Sequence, residues 1–474
     1  MDRHFFFQTA LLPEGWRHQV RIGVRDGLID AVAADGTAAP LASDERFGLV
    51  IPGMPNVHSH AFQRAMAGLA ERAGPEGSGD FWSWRDRMYH FVARLEADDV
   101  EAIAAHAYAD MLEAGFTSVG EFHYLHRTPA GALYTDPAEL ALRHAAAAEA
   151  TGIGLTLLPV FYETSDFGGA PPTAGQQRFV TDLDTFARIV ERVRQAAHPT
   201  SHDAAPAGAP AGAAVRAAAR AVGIAPHSLR AVTPAGLCGL LRLFPRERFH
   251  IHAAEQLKEV SDCIAWSGQR PVEWLLEHAG IDARWCLVHA THLSSSEITS
   301  LAQCGAVAGL CPVTEANLGD GIFPAAEYLR AGGRWAIGTD SNVSLDAAGE
   351  LRQLEYSQRL HHRTRNVLAS ADRPSTGRRL IDGALAGGAQ ALGLPTGVIA
   401  PGYRADFLVL DQSHPDLAAR CGDDLLDTWV FSGGRALIHA VIAAGEPVVK
   451  DGRHRDRDRI DARYVRVLSR LMGR

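Results

Sequence analysis

Two histidines separated by one residue, His58 and His60, stand directly behind the extended run LVIPGMPN. Side chains two apart on extended chain point to the same side, so both imidazoles face one spot. Three further polar groups close short apolar runs in the same manner: HAAE at 252–255, VHATH at 288–292 and IGTDSN at 337–342. Neutral imidazoles bind a borderline divalent ion such as zinc. A carboxylate ending an apolar strand, as Asp340 ends RWAIGTD, needs a cation or several donors to offset its desolvation. His58, His60, His252 and Asp340 are therefore read as ligands of one catalytic metal with a position left open for water. A helix-cap role is the competing reading of Asp340. No lysine stands near the ends of LTLLPVFYE or VGIAPHS to form a carbamate bridging two metals, which argues for one ion. Three imidazoles and a carboxylate suit zinc, and equally iron or manganese.

Glu255, three residues past His252, stands where a carboxylate can carry protons between water and a leaving nitrogen; a helix N-terminal charge is its blander role. His289, at the end of WCLVH, is the candidate to polarise or deprotonate a reacting group, with His292 in its loop. His250 shares the His252 face one step deeper and is read as structural. Arginine reads planar carboxylates with two parallel hydrogen bonds. Arg64, Arg85 and Arg230 near a metal, in a chain of net charge −9, point to a substrate with more than one carboxylate. Ordinary salt bridges are the alternative for any one of them. Some of Glu121, His123, Tyr124 and His126 must line the pocket, and Glu315 and Asn317 orient ligands or fix their loop. FWSW at 81–84 reads as a lid or loop core.

The elements that must position these groups follow a repeating pattern. Apolar strand candidates near 49–57, 116–121, 153–160, 222–226, 248–252, 285–289, 306–311 and 334–339 alternate with Ala/Leu-rich helix candidates. Eight such units make an α/β fold, a (β/α)8 TIM-like barrel over 49–396, whose chemistry belongs at the C-terminal strand ends. Residues 1–48 alternate in strand fashion, with turns at Asp26–Gly27 and Asp35–Gly36. The segment 397–454 has the same texture, so both chain ends combine into one small β-sandwich domain, and 455–474 forms a C-terminal helix. The Pro/Gly/Ala-rich stretch at 204–212 reads as a surface insertion before strand four.

The chain of 474 residues is 47% hydrophobic and 21% charged, which excludes wholesale disorder. Its negative net charge excludes an overall field attracting nucleic acid or anionic lipid. No run approaches the roughly 18 apolar residues of a membrane span, and the N-terminal apolar patch is too short for a signal segment. The six cysteines lack CxxC spacing, and their apolar neighbours suit buried thiols in a reducing compartment. A cytoplasmic homodimer is the expectation.

PGMPNVHSHAFQR, HIHAAEQ, VHATHLS and IGTDSN, with GVIAPGYRADFLVLD near the C-terminus, resemble the amidohydrolase superfamily in its mononuclear aminohydrolase branch, over nearly the whole chain. The resemblance implies metal binding by His58, His60, His252 and Asp340, with Glu255, His289 and Asp340 carrying protons. HSHAFQRAMAGLAE, FWSWRDRMY, EFHYLH and HSLRAVTP are similar to the formimidoylglutamate deiminases within it. That likeness implies hydrolysis of N-formimino-L-glutamate, a small dianion, to N-formyl-L-glutamate and ammonia in histidine degradation. It also implies that Gln63, Arg85, Tyr124, His227 and Arg230 hold the glutamate part. The family's EFHY is often followed by Val-His-His; here Leu125–His126–Arg127 follows, touching no proposed ligand. A deaminase of a purine- or pterin-like ring would want stacking aromatics and neutral amides in place of the arginines. A non-catalytic descendant would be expected to have lost ligands or Glu255.

Overall fold

The computed structural model describes residues 2–71, 81–197 and 220–473. The segment read as an insertion, 204–212, lies outside the described residues. The chain opens with β1 (Arg3–Leu12), β2 (Gly15–Arg25), β3 (Leu28–Ala33) and β4 (Glu45–Pro52). The Asp26–Gly27 turn between β2 and β3 has positive φ at both positions, the geometry whose twist matches a two-residue hairpin.

The apolar run read as one strand over 49–57 is two. β4 ends at Pro52 and stays in the terminal sheet, paired with β1, while β5 (Met54–Ser59) enters the barrel. Both halves are buried, so hydropathy shows no gap; the break falls at Gly53, where a Cβ would lie 2.3 Å from Thr117 Cγ2.

The barrel continues through β6 (Phe116–His123), β7 (Gly154–Phe161), the interrupted pair β8 (Arg220–Val222) and β9 (Ala225–Pro226), β10 (Phe249–Ala253), β11 (Trp285–His289), β12 (Val307–Leu310) and β13 (Arg334–Ile337). All pairings are parallel, in two arcs, β5 to β9 and β10 to β13. Bridges Ile224–Phe249 and Ser228–His252 join the arcs on one side, and Ser59–Asp340 closes them on the other. Closure thus passes through the residues expected to bind metal. Val57, Val288, Ala336, Leu392 and Leu394 fill the barrel below them.

The chain then returns to the first sheet as β14 (Phe407–Leu410), β15 (Ile438–Ala443), β16 (Glu446–Lys450) and β17 (Arg453–His454). Antiparallel pairing of β14 with β4 makes one eight-stranded sheet from both chain ends. It folds around Phe5, Phe7, Val20, Ile22, Phe407 and Ile442. Helix Arg457–Leu471 packs on helix Ala97–Glu113, with the rings of Tyr464 and His106 stacked at 3.8 Å.

All six cysteines are free thiols. Cys263, Cys286 and Cys311 are buried as expected, but Cys238 and Cys421 are exposed, because apolar sequence neighbours do not decide which side of a helix or turn a residue occupies. Among the described residues no helix is long and apolar enough to cross a membrane.

Candidate metal centre and active site

Four donor atoms meet where β5, β10 and β13 end. His58 Nε2 lies 3.2 Å from His60 Nε2 and 3.1 Å from His252 Nε2. Asp340 Oδ1 is 3.4 Å from the first and 3.2 Å from the second. The four lie within 4.8 Å of one another.

The opposite ring nitrogens decide what these atoms offer. His60 Nδ1 donates to the Phe122 carbonyl at 2.9 Å, and His252 Nδ1 to the His227 carbonyl at 3.0 Å. A carbonyl only accepts, so both Nδ1 atoms carry the proton and both Nε2 atoms turn a lone pair inward. Burial lowers the His58 pKa to about 3 and pulls that of His252 well below the usual value. For the Asp340 carboxyl, burial raises the pKa, but the adjoining His58 and His60 imidazoles outweigh it and hold it well below the usual value. A proton on His58 Nε2 would satisfy one inward lone pair at most. A divalent cation satisfies all four donors, so the residues fit a metal.

Beside this group stands a proton-handling pair. His289 Nε2 is 3.7 Å from Glu255 Oε1 and 3.8 Å from Asp340 Oδ2, while its Nδ1 faces Glu315 Oε1 at 3.3 Å. Burial disfavours the imidazolium, yet Glu255, Glu315 and Asp340 outweigh it and push His289 up to about 10. Burial raises the pKa of Glu255 against the pull of His289 and Arg230. The Glu255 backbone N–H is held by the Glu259 carboxylate at 3.1 Å.

One pocket opens over these groups. His60, His252, Glu255, His289 and Asp340 line it from below, and Gln63, Arg85, Tyr124, His227 and Arg230 from the sides. His58, fully buried, lies beneath it. Gln63 Nε2 donates to Tyr124 Oη at 2.9 Å, and Arg230 Nη2 lies 4.0 Å from Glu255 Oε2. These ten pocket-lining residues and His58 are thus brought to one place.

The remaining candidates divide. Arg64 does not face the pocket: it donates to the carbonyls of Asn342 and Val343, both at 3.0 Å, and to Asp110 at 2.9 Å. Of the group at the end of β6 and just past it, only Tyr124 lines the pocket. Glu121 instead accepts from Ser59 Oγ at 2.9 Å and the Ala61 N–H at 2.8 Å, and His126 donates to the Val160 carbonyl. Their neighbours on β6 gave no means of telling inward from outward. Asn317 donates to Glu71, whereas Glu315 both orients His289 and accepts the Cys311 N–H at 2.8 Å. His250 donates to the Ala391 carbonyl, and His292 to that of Asp320, as structural residues. The FWSW segment forms the first turn of helix Phe81–Val92, with Phe81 and Trp84 on the pocket wall.

Sequence reasoning also missed a buried polar chain behind the ligands. Asn56 Nδ2 donates to Thr339 Oγ1 at 2.7 Å, Thr339 Oγ1 to Asn342 Oδ1 at 2.6 Å, and Asn342 Nδ2 to Ser59 Oγ at 3.1 Å. With Ser59 donating to Glu121, this stitches β5, β6 and β13 together across the closure. The available signal was strand alternation: Ser59, between two inward histidines, must face outward.

Comparisons with known proteins identify the family. The model described as Amidohydrolase family matches residues 49–448, and that described as Formimidoylglutamate deiminase HutF, N-terminal domain, matches residues 3–48. The chain is 50% identical to the formimidoylglutamate deiminase of Pseudomonas aeruginosa over 469 residues, 98% of this chain and 99% of the relative. An amidohydrolase structure from Brucella melitensis superposes with a TM-score of 0.90 at 50% identity, covering 99% of this chain and all of that one. An adenosine deaminase from Xanthomonas campestris with bound zinc shares the fold, with a TM-score of 0.80 at 22% identity over 100% and 99% of the two chains. The chain belongs to the amidohydrolase family and, within it, to the formimidoylglutamate deiminases.

Proposed function

We propose that this chain hydrolyses N-formimino-L-glutamate to N-formyl-L-glutamate and ammonia, a step of histidine degradation. The observation that carries this reading is one pocket holding a cation-ready His3Asp group, the Glu255–His289 pair and two arginines, Arg85 and Arg230. Two guanidinium groups on one pocket wall suit a dianion, whose carboxylates take paired hydrogen bonds from arginine, better than a neutral ring base. The 50% identity to a formimidoylglutamate deiminase supports the same substrate.

In this proposal His58, His60, His252 and Asp340 hold one divalent ion, taken as zinc, which histidine and carboxylate donors bind at catalytic sites with one position left open. When bound, such an ion supplies Lewis acidity that makes water a stronger nucleophile near neutral pH. Asp340 takes up the proton as water adds to the formimino carbon, and His289 steers it by hydrogen bonding. Glu255 protonates the imino nitrogen, which makes that carbon more electrophilic, and then passes a proton to the nitrogen that leaves. The bond from carbon to this nitrogen breaks, ammonia departs, and the carbon is left as a formyl group on the glutamate nitrogen. Gln63, Arg85, Tyr124, His227 and Arg230 hold the glutamate part so that the amidine carbon lies over the ligands. A cytoplasmic homodimer completes the proposal: free thiols suit a reducing compartment, and two-fold dimers are the commonest assemblies.

The test is to follow ammonia and N-formylglutamate together from N-formimino-L-glutamate, with N-formimino-L-aspartate, guanine and cytosine as comparisons. Both products should form, stop on chelation and return with one equivalent of metal. Glu255→Gln should keep its metal and lose most of its turnover. A fully metal-loaded protein that leaves the glutamate compound untouched would overturn the substrate.

A further inference from the structure

The pocket wall holds a second amide–phenol pairing that the roles above leave unused. Tyr162 follows β7, Tyr89 lies on helix Phe81–Val92, and both line the pocket with Arg85 and Arg230. Behind them sits Gln176, 2% exposed, at the end of the short turn Ala174–Gln176. Its Oε1 accepts the Thr173 backbone N–H at 2.8 Å and the Thr173 hydroxyl at 3.0 Å. A peptide N–H only donates, so this contact fixes which end of the amide is oxygen. The Nε2 end is thereby turned on the phenols, 2.8 Å from Tyr162 Oη and 3.4 Å from Tyr89 Oη. Each phenol oxygen accepts there, so each phenol proton is directed to some other acceptor. Tyr162 is packed between the rings of His227 and Phe179, at 4.9 and 5.6 Å. Burial pushes its phenol pKa far up, which keeps it a donor at any working pH. The Arg85 guanidinium stands 5.7 Å from the centre of the Tyr89 ring, on the same side of the pocket.

We infer that Tyr162 and Tyr89, held as hydrogen donors by Gln176, form with Arg85 a receptor for one of the substrate's two carboxylates, and so select a dianion over a monoanion. The identity of the ligand rests on the proposed function; the donor assignment rests on Gln176 alone. Two O–H donors and a guanidinium together match the lone pairs of one carboxylate. Arg230, 4.0 Å from Glu255, is left on the reacting side for the other.

Two variants of the metal-loaded protein test this. Tyr162→Phe removes one donor. Gln176→Glu keeps an oxygen for Thr173, so the turn is preserved, but it offers both phenols an acceptor and draws their protons away from the pocket. KM and kcat are read for N-formimino-L-glutamate and for the N-formimino derivatives of 4-aminobutyrate and L-2-aminobutyrate, each lacking one carboxylate. Binding of glutarate, which has both carboxylates and no amidine, is read by calorimetry. Both variants should raise KM for the glutamate compound and Kd for glutarate about tenfold or more, since hydrogen bonds to charged groups are the strong ones, with kcat little changed. The effect should vanish for whichever mono-acid lacks the carboxylate that the receptor holds. Unchanged KM and Kd, a loss confined to kcat, or equal losses on both mono-acids would overturn the inference. A wild type that turns over no formimino compound would sink the proposed function, not the receptor. Glutarate binding weakened by Gln176→Glu would then uphold it, and absent or unweakened binding would overturn it.

Discussion

Gly338 stands where the closing strand comes closest to the metal ligands, and Gly338→Ala tests whether that closure sets the site. A Cβ at 338 would lie 2.8 Å from His58 Cβ and 3.0 Å from both its backbone nitrogen and oxygen. Carbon atoms settle at about 3.5 Å or more, so the methyl group demands a separation of about 0.7 Å. The obstacle includes the backbone of His58, so no rotamer change relieves it. His58 O also accepts from the N–H groups of Thr339 and Asp340, at 3.0 and 2.9 Å, and displacement there moves two ligands relative to each other. Metal–ligand distances tolerate only about 0.2 Å, less than a third of the required shift. Overpacking should cost about 1–3 kcal/mol of stability. Metal affinity should fall about 10- to 100-fold, the range for losing an outer support of a metal ligand.

The assay is competition for metal against a chelator, with denaturant unfolding of the same samples. Gly309→Ala is the control: its Cβ would meet Cys286 Sγ at 2.8 Å, the far end of a side chain in the barrel floor. That variant should lose some stability and keep its metal affinity. If Gly338→Ala binds metal as tightly as the control, contact between β13 and β5 does not set the ligand geometry and the reasoning is wrong.

Glu315→Gln should lower kcat about 10- to 100-fold and leave KM within about twofold, because it removes the anion behind His289 Nδ1 while Glu315 itself does not line the pocket; an unchanged kcat would show that Glu315 only fixes its loop. Chelation should lower the unfolding free energy by about 4 kcal/mol where free metal had stood at a thousand times its Kd, and one equivalent of metal should restore it; chelator-insensitive unfolding would contradict the cation-ready reading of the four donors. Asp110 receives Arg64 at 2.9 Å and Arg457 at 2.6 Å. Burial raises its pKa, but His106 and the two arginines outweigh this and hold it below the usual carboxylate value. Its stabilisation is therefore full above the unfolded value, about 3.9, and is lost as pH falls through the lower folded value. Asp110→Asn should cost about 3 kcal/mol at pH 7, and the denaturation midpoints of variant and wild type should converge as pH drops below about 4; a gap that persists in acid would exclude a charge effect.

His58, His60, His252, His289 and Asp340 were legible because each stands at the end of an apolar run, with Glu255 three residues past His252, and buried parallel strands leave few other reasons for a polar residue there. Arg64 and Arg85 show where that logic stops. Both follow the ligands in sequence, but Arg64 sits in the turn Ala61–Met66 and turns away to Asp110. Nothing near Arg64 announces a partner 46 residues on. The aromatic wall was illegible for a related reason. Tyr89, Tyr162 and Phe179 come from three separate segments, and only the fold makes them neighbours.

The deepest part of the site that sequence could not reveal is its backbone. Ala254, His289, Ala290, Asp340 and Asn342 all take positive φ, from 45° to 67°, and none is a glycine to announce it. Such conformations cost about 1 kcal/mol or more each, and local propensity argues most against Ala254 and Ala290, since Asn, Asp and His are the side chains that visit this region most readily. They persist because hydrogen bonds over-determine them: Ala290 N–H to the Ala253 carbonyl at 3.0 Å, His292 N–H to that of Ala254 at 3.1 Å, and Asp340 N–H to that of His58 at 2.9 Å. The turned-back chain is what lets Glu255, His289 and Asp340 face one point from three different strands. Where residue preference and fold disagree most, along the mouth of the barrel, the disagreement is resolved in favour of the chemistry.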